Sequence, residues 1–189
     1  TFDRMARYSD FAEMESTPEI ASALDIYAEE TIAADEQGKV FAYQGRAFGK
    51  ETPKYVTIKL DENKQKIYGL ERINFAQNLF VVEGPIDSLF LDNCLAAGGA
   101  DLTLDSKINP EKVTYIFDNE PRNKEIIQRM EKIIDLGYNI FIWPNEIQLK
   151  DVNDLIMTGV SKIQLDEIIS INTYSNLSAK QALVQYKKI

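Results

Sequence analysis

Leu79-Phe80-Val81-Val82-Glu83-Gly84-Pro85-Ile86-Asp87 is the stretch that decides the fold. Four apolar residues run without alternation, the mark of a strand covered on both faces, and such strands belong to parallel sheets. An acid closes the strand, and Gly84-Pro85 turns the chain toward a helix expected over 86–97. Downstream the same rhythm repeats. Val113 to Phe117 reads as a strand ending at Asp118, and a helix at about 121–136 stops at Gly137, which suits a left-handed C-cap. Tyr138 to Trp143 is the next strand, broken by Pro144; Val152 to Met157 is a short helix closed by Gly159. Amphipathic segments at 161–170 and 178–187 follow. Strands and helices alternating at this spacing predict an α/β fold, a mostly parallel sheet flanked by helices.

Upstream the pattern differs. Lys39 to Gln44 and Lys54 to Leu60 are short β-like runs around a loop with Gly45, Gly49 and Pro53, a small β-rich subdomain. Before them, Thr17-Pro18-Glu19 offers a cap, a first-turn Pro and an early acid. Ile20, Ala23, Leu24, Tyr27 and Ala28 then recur at helical spacing, so a leading helix is expected over 18–30, with 31–38 as a polar linker. The expected division is 1–37, a helical segment; 38–76, the β-rich subdomain; and 77–189, the α/β domain with its C-terminal helices.

Composition excludes several chemistries. The 189 residues are 44% hydrophobic, enough to bury a core, and the longest apolar runs are too short to span a bilayer. There is no His and one Cys, Cys94, placed by the reading on an apolar helix face as a core residue. A zinc ribbon, an internal disulfide, a Ser-His-Asp triad and a His base are therefore impossible within these residues. A net charge of −9 argues against a general nucleic-acid binder, although an acidic total can hide a carboxylate cluster beside a local basic groove. Position 1 is Thr rather than Met, the sign of a fragment, and no charged-then-apolar leader is present, so secretion is not expected.

Ligands of open α/β sheets gather outside the carboxyl ends of the strands. Each of three strand ends carries a pair of acids: Glu83 and Asp87, Asp118 and Glu120, Asp151 and Asp154. Magnesium prefers such hard carboxylate oxygens and keeps waters that leave room for phosphate. Any one of these acids could equally be a solvated loop residue, and Asp151 is placed to cap a helix.

The wording of these segments resembles a known family. Val81-Val82-Glu83-Gly84-Pro85-Ile86-Asp87 is similar to the first signature of Toprim domains, and Tyr115-Ile116-Phe117-Asp118-Asn119-Glu120 to the second, which is normally Asp-x-Asp. Gly45-Arg46, Pro53-Lys54-Tyr55, Tyr68-Gly69-Leu70 and Lys150-Asp151-Val152-Asn153-Asp154 resemble, in order, landmarks of bacterial-type DNA primases. The detail is closest to primase subunits of T-even-type tailed phages. The resemblance covers about 38–160 and implies a Rossmann-like Toprim fold. It also implies magnesium- or manganese-dependent nucleotidyl transfer, making RNA primers on single-stranded DNA.

The roles it implies are specific. Glu83 would be the metal-linked acid-base residue, with Asp118 and Glu120 as metal carboxylates; Glu120 stands where many relatives have Asp. Asp87, Asp151 and Asp154 would support the loops, and Arg46, Lys54, Arg122, Lys124 and Lys150 would meet template or nucleotide phosphates. Expected partners are single-stranded DNA, nucleoside triphosphates, a replicative ring helicase and a separate zinc-binding module, with no membrane, in the host cell cytoplasm. Two other readings share the acids: a Toprim nuclease, and a truncated, catalytically silent fragment that binds metal or DNA. Residues 1–38, through Arg7-Tyr8-Ser9-Asp10-Phe11 and Pro18-Glu19-Ile20, resemble instead part of the same phages' portal protein, as a fusion would.

Overall fold

The computed structural model describes residues 27–47, 55–97 and 108–189. The chain divides into two compact units, with the boundary between Arg72 and Ile73.

The first unit holds an antiparallel sheet of β1 (Tyr27–Ala34), β2 (Val40–Ala47) and β3 (Tyr55–Lys59), in that order. Asp35 makes the β1–β2 turn. Its carboxylate accepts from Gln37 N at 3.2 Å and Lys39 N at 2.9 Å, and Gly38 supplies the left-handed φ of 78°. Lys64 pairs with Asp35 at 2.7 Å. Ile32, Val40 and Tyr43 form the core of this unit, with Ile58 packed against them.

Two expectations change here. Residues 27–30 are strand rather than the end of a helix, and 31–34 continue that strand rather than forming a linker. Tyr27-Ala28-Glu29-Glu30 has no decisive period of its own. Pairing along β2, from Tyr27↔Ala47 to Ala34↔Val40, gives its backbone groups partners that a short isolated helix could not. β2 also runs on through Gly45 and Arg46, which pair with Val56 and Tyr55. The remainder of the expected leading helix, with Ile20 and Leu24, lies outside the described residues, as does Lys54.

The second unit is the α/β domain. Its sheet has the order β5 (Cys94–Ala96), β4 (Leu79–Val82), β6 (Val113–Ile116), β7 (Asn139–Phe141), β8 (Thr173–Tyr174). All neighbours are parallel except β7 and β8. Every residue of β6 is buried, Thr114 included, as befits a central strand covered on both faces. Helix α1 (Lys124–Asp135) buries Ile126, Ile127, Met130, Ile133 and Ile134, one face at a 3.6-residue period. It ends at Gly137, φ 84°. Helix α2 (Val152–Met157) is capped by Asp151, whose carboxylate accepts from Asp154 N at 2.8 Å. Helices α3 (Lys162–Ile171) and α4 (Asn176–Tyr186) complete the unit.

The expected helix over 86–97 is absent. Asp87–Leu89 makes one 3-10 turn, and Cys94–Ala96 is strand β5, so Cys94 is buried in the sheet and not on a helix. Asn93 causes the break. It sits at φ 49°, and its side chain accepts from Asn74 N while donating to the carbonyls of Asn74 and Asn78. The short antiparallel β8 has two residues and gave no period to read.

Candidate active site

The site follows from strand order. β4 leads to β5 on one side, whereas β6 leads to β7 on the other. The crevice beyond the carboxyl ends of β4 and β6 is thus a topological switch point, where open α/β sheets collect ligands. Val82 and Ile116 are direct partners in the sheet, so Glu83 and the Asp118 loop emerge side by side.

Glu83 is held at both oxygens. Oε2 accepts from Asp118 N at 3.1 Å, and Oε1 receives the guanidinium of Arg129 from α1. Arg129 in turn lies 5.2 Å from the centre of the Phe117 ring. The residue after Glu83 must be small, because a Cβ at Gly84 would collide with Asp87 Oδ2.

Asp118 and Glu120 share a cation from their own chain. Lys150 Nζ is 2.9 Å from Asp118 Oδ2 and 3.8 Å from Glu120 Oε1. Burial pushes the Asp118 carboxyl up; the bond from Lys150 pulls it back down, and neighbouring Glu83 adds to the rise. Lys150 itself is raised, chiefly by that bond to Asp118. Asn123 Nδ2 donates to Glu120 Oε2 at 2.6 Å, while Asn123 Oδ1 caps α1 by accepting from the amides of Glu125 and Ile126.

The acids expected to support the loops spend their oxygens on backbone amides. Asp87 Oδ1 accepts from Asn153 N at 2.8 Å, and Asp154 Oδ2 from Lys150 N at 3.3 Å. Asp87 is buried, which pushes its carboxyl up to about 7. Arg122 and Lys124 are exposed just before and at the start of α1. Arg46 lies on β2 in the other unit.

Three residues were assigned no role from the sequence: Asn119, Asn123 and Arg129. Asn119 N donates to Lys150 O at 2.6 Å, Asn119 Nδ2 reaches the carbonyls of Ile147 and Leu149, and Tyr186 OH donates to its Oδ1 at 3.2 Å. Asn123 had one usable signal, its place just before a helical run. Arg129 had none, since only the packing of α1 brings it to β4.

The donor chemistry suits a hard divalent cation at Asp118 and Glu120, where an ammonium already bridges the two carboxylates. Among the described residues no three acids group closely enough to hold a metal ion together, and Glu83 faces Arg129. No helix among the described residues is long and apolar enough to cross a membrane.

No protein-family model matches the chain. Over 155 residues it is 39% identical to the DNA primase of Enterobacteria phage T4, a match covering 80% of this chain and 45% of that protein. The chain thus spans less than half the length of this relative. Among solved structures, the E. coli primase catalytic core is similar at a TM-score of 0.59 and 18% identity, covering 90% of this chain and 64% of that one. The zinc-binding and RNA polymerase domains of Aquifex aeolicus primase give 0.60 and 18%, covering 83% and 46%. A DnaG primase catalytic domain bound to single-stranded DNA gives 0.57 and 16%, covering 87% and 64%. These likenesses show that the fold is that of primase catalytic cores.

Proposed function

We propose that this chain, homologous to phage T4 DNA primase and folded like bacterial primase catalytic cores, is the part of a phage primase that joins ribonucleotides into primers on single-stranded DNA. The observation that carries the reading is the meeting of Glu83, Asp118 and Glu120 beside one switch point, in a chain with that homology. Asp118 and Glu120 would hold magnesium or manganese, which supplies charge neutralisation at the phosphates during nucleotidyl transfer. The chain's own groups do the rest. Arg129 and the Asp118 amide fix the direction of Glu83, so that its carboxylate stands ready for proton transfer beside the acid pair. Asn123 orients Glu120.

Arg122, Lys124 and Lys150 supply positive charge for triphosphate, and Arg46 and Lys54 for the template. Single-stranded DNA, a ring helicase and a separate zinc-binding module are the proposed partners, in the host cytoplasm. The test is RNA synthesis from ribonucleotides on single-stranded DNA with magnesium, supplying helicase and zinc module in trans. Asp118→Asn should lower the rate at least a hundredfold, about the loss when one preorganised electrostatic contact to the transition state is removed. DNA cleavage in place of synthesis would make the site a nuclease. Binding without either activity would leave a silent fragment.

A further inference from the structure

The ammonium between Asp118 and Glu120 is placed there by a built loop. Lys150 O accepts from Asn119 N at 2.6 Å, and Asn119 Nδ2 ties down the carbonyls of Ile147 and Leu149, each at 2.9 Å. Lys150 N donates to Asp154 Oδ2 at 3.3 Å, so the backbone of this lysine is anchored on both sides. The residue that lies between the two acids is therefore the one that brings a positive charge to them.

Two carboxylates on one short loop repel each other, and desolvation of Asp118 makes its charge costlier still. An ion pair offsets this. The Lys150 side chain is nevertheless 56% exposed, on a flexible four-carbon stem, so it can leave without unpacking anything.

We propose that Lys150 is a displaceable internal counter-ion: its ammonium holds Asp118 and Glu120 together until a divalent cation takes its place, and is then free to meet nucleotide phosphate. The inference rests on the reading of Asp118 and Glu120 as the metal carboxylates.

Manganese binding to the whole chain, followed by calorimetry with no nucleotide present, tests it without any activity. Lys150→Met should bind manganese roughly three- to tenfold more tightly than wild type, since a competing charge close to the acids is gone. Lys150→Arg, which keeps the charge, should stay within about twofold of wild type. So should Lys180→Met, which makes the same change of net charge at an exposed position that faces Asp135 on α1. Without metal, Lys150→Met should melt below wild type and gain more from added manganese; Lys150→Gln repeats the comparison with a polar side chain. If wild type binds manganese and Lys150→Met binds it no more tightly, the counter-ion idea falls and the acid pair stands. The same holds if Lys180→Met tightens binding equally. If neither wild type nor Lys150→Met binds manganese, both ideas fall together.

Discussion

At the scale of single residues, the turn after β4 is the most constrained point of the site. Gly84 is needed because Asp87 Oδ2 occupies the space a Cβ would take. Gly84→Ala should cost about 1–3 kcal/mol by forced displacement, read from urea unfolding. Combining it with Asp87→Ser should cost less than the two changes summed, because the shorter arm removes the collision. Asp87 also makes stability depend on pH. Its folded carboxyl is pushed up to about 7 by burial, against about 3.9 for an unfolded aspartate. Between these values the native state holds a proton that the unfolded chain releases. Its stabilising contribution is therefore full below about pH 4 and lost as pH rises through about 7. From pH 5 to pH 8 the urea midpoint of wild type should fall more than that of Asp87→Asn. Equal slopes would show that Asp87 is ionised in the folded protein throughout.

At the scale of elements, α1 serves both the core and the site. Its inner face packs on the sheet through Ile127 and Met130, while its first residues and Arg129 reach the acids. These two tasks should separate by mutation. Met130→Ala, at a fully buried position, should cost about 2–5 kcal/mol and leave the affinity for divalent cations within error of wild type. Asn123→Ala should cost about 1 kcal/mol from the lost cap and also free Glu120. Asn123→Ser, which retains a capping oxygen, should recover most of the stability in denaturant titrations but not the hold on Glu120. A Ser variant as unstable as the Ala variant would contradict the capping account. The C-terminal helix also takes part. Tyr186 OH donates to Asn119 and Lys188 N to the carbonyl of Pro121, so α4 and the residues after it brace the acid loop from behind.

At the scale of the whole molecule, a net charge of −9 has to coexist with the phosphate ligands proposed above. Any attraction to single-stranded DNA must come from local groups, and its logarithm should fall linearly with the logarithm of salt concentration. Arg46→Ala and Lys54→Ala should each weaken binding and make that slope shallower by roughly 0.7, the value expected per phosphate on a single strand. Fluorescence anisotropy across a salt series measures both. A divalent cation bound only by the folded chain should stabilise it by mass action, about 1.4 kcal/mol at ten times its dissociation constant. Thermal melts across a magnesium series check this, and Asp118→Asn should abolish the gain.

The order of elements in the second unit was legible in the sequence wherever a period was long or a stop was sharp. Leu79 to Val82, Val113 to Phe117 and the run up to Gly137 each carry enough residues or a clear terminator to fix their type. So were the acids at the strand ends, because local composition decides where a buried strand must stop. Segments whose partners lie far along the chain were not legible. Tyr27–Ala34 is a strand because β2 pairs with it, and Cys94–Ala96 is one because Asn93 turns left-handed and β4 offers its edge. The partners of the acids belong to the same class. Arg129 reaches Glu83 from 46 positions away and Lys150 reaches Asp118 from 32, distances that no local periodicity encodes. Sequence alone determined which acids stand at the strand ends, since that is a matter of side-chain chemistry where a buried strand stops. Only the tertiary structure decided which cations face them, because long-range packing sets every such pairing.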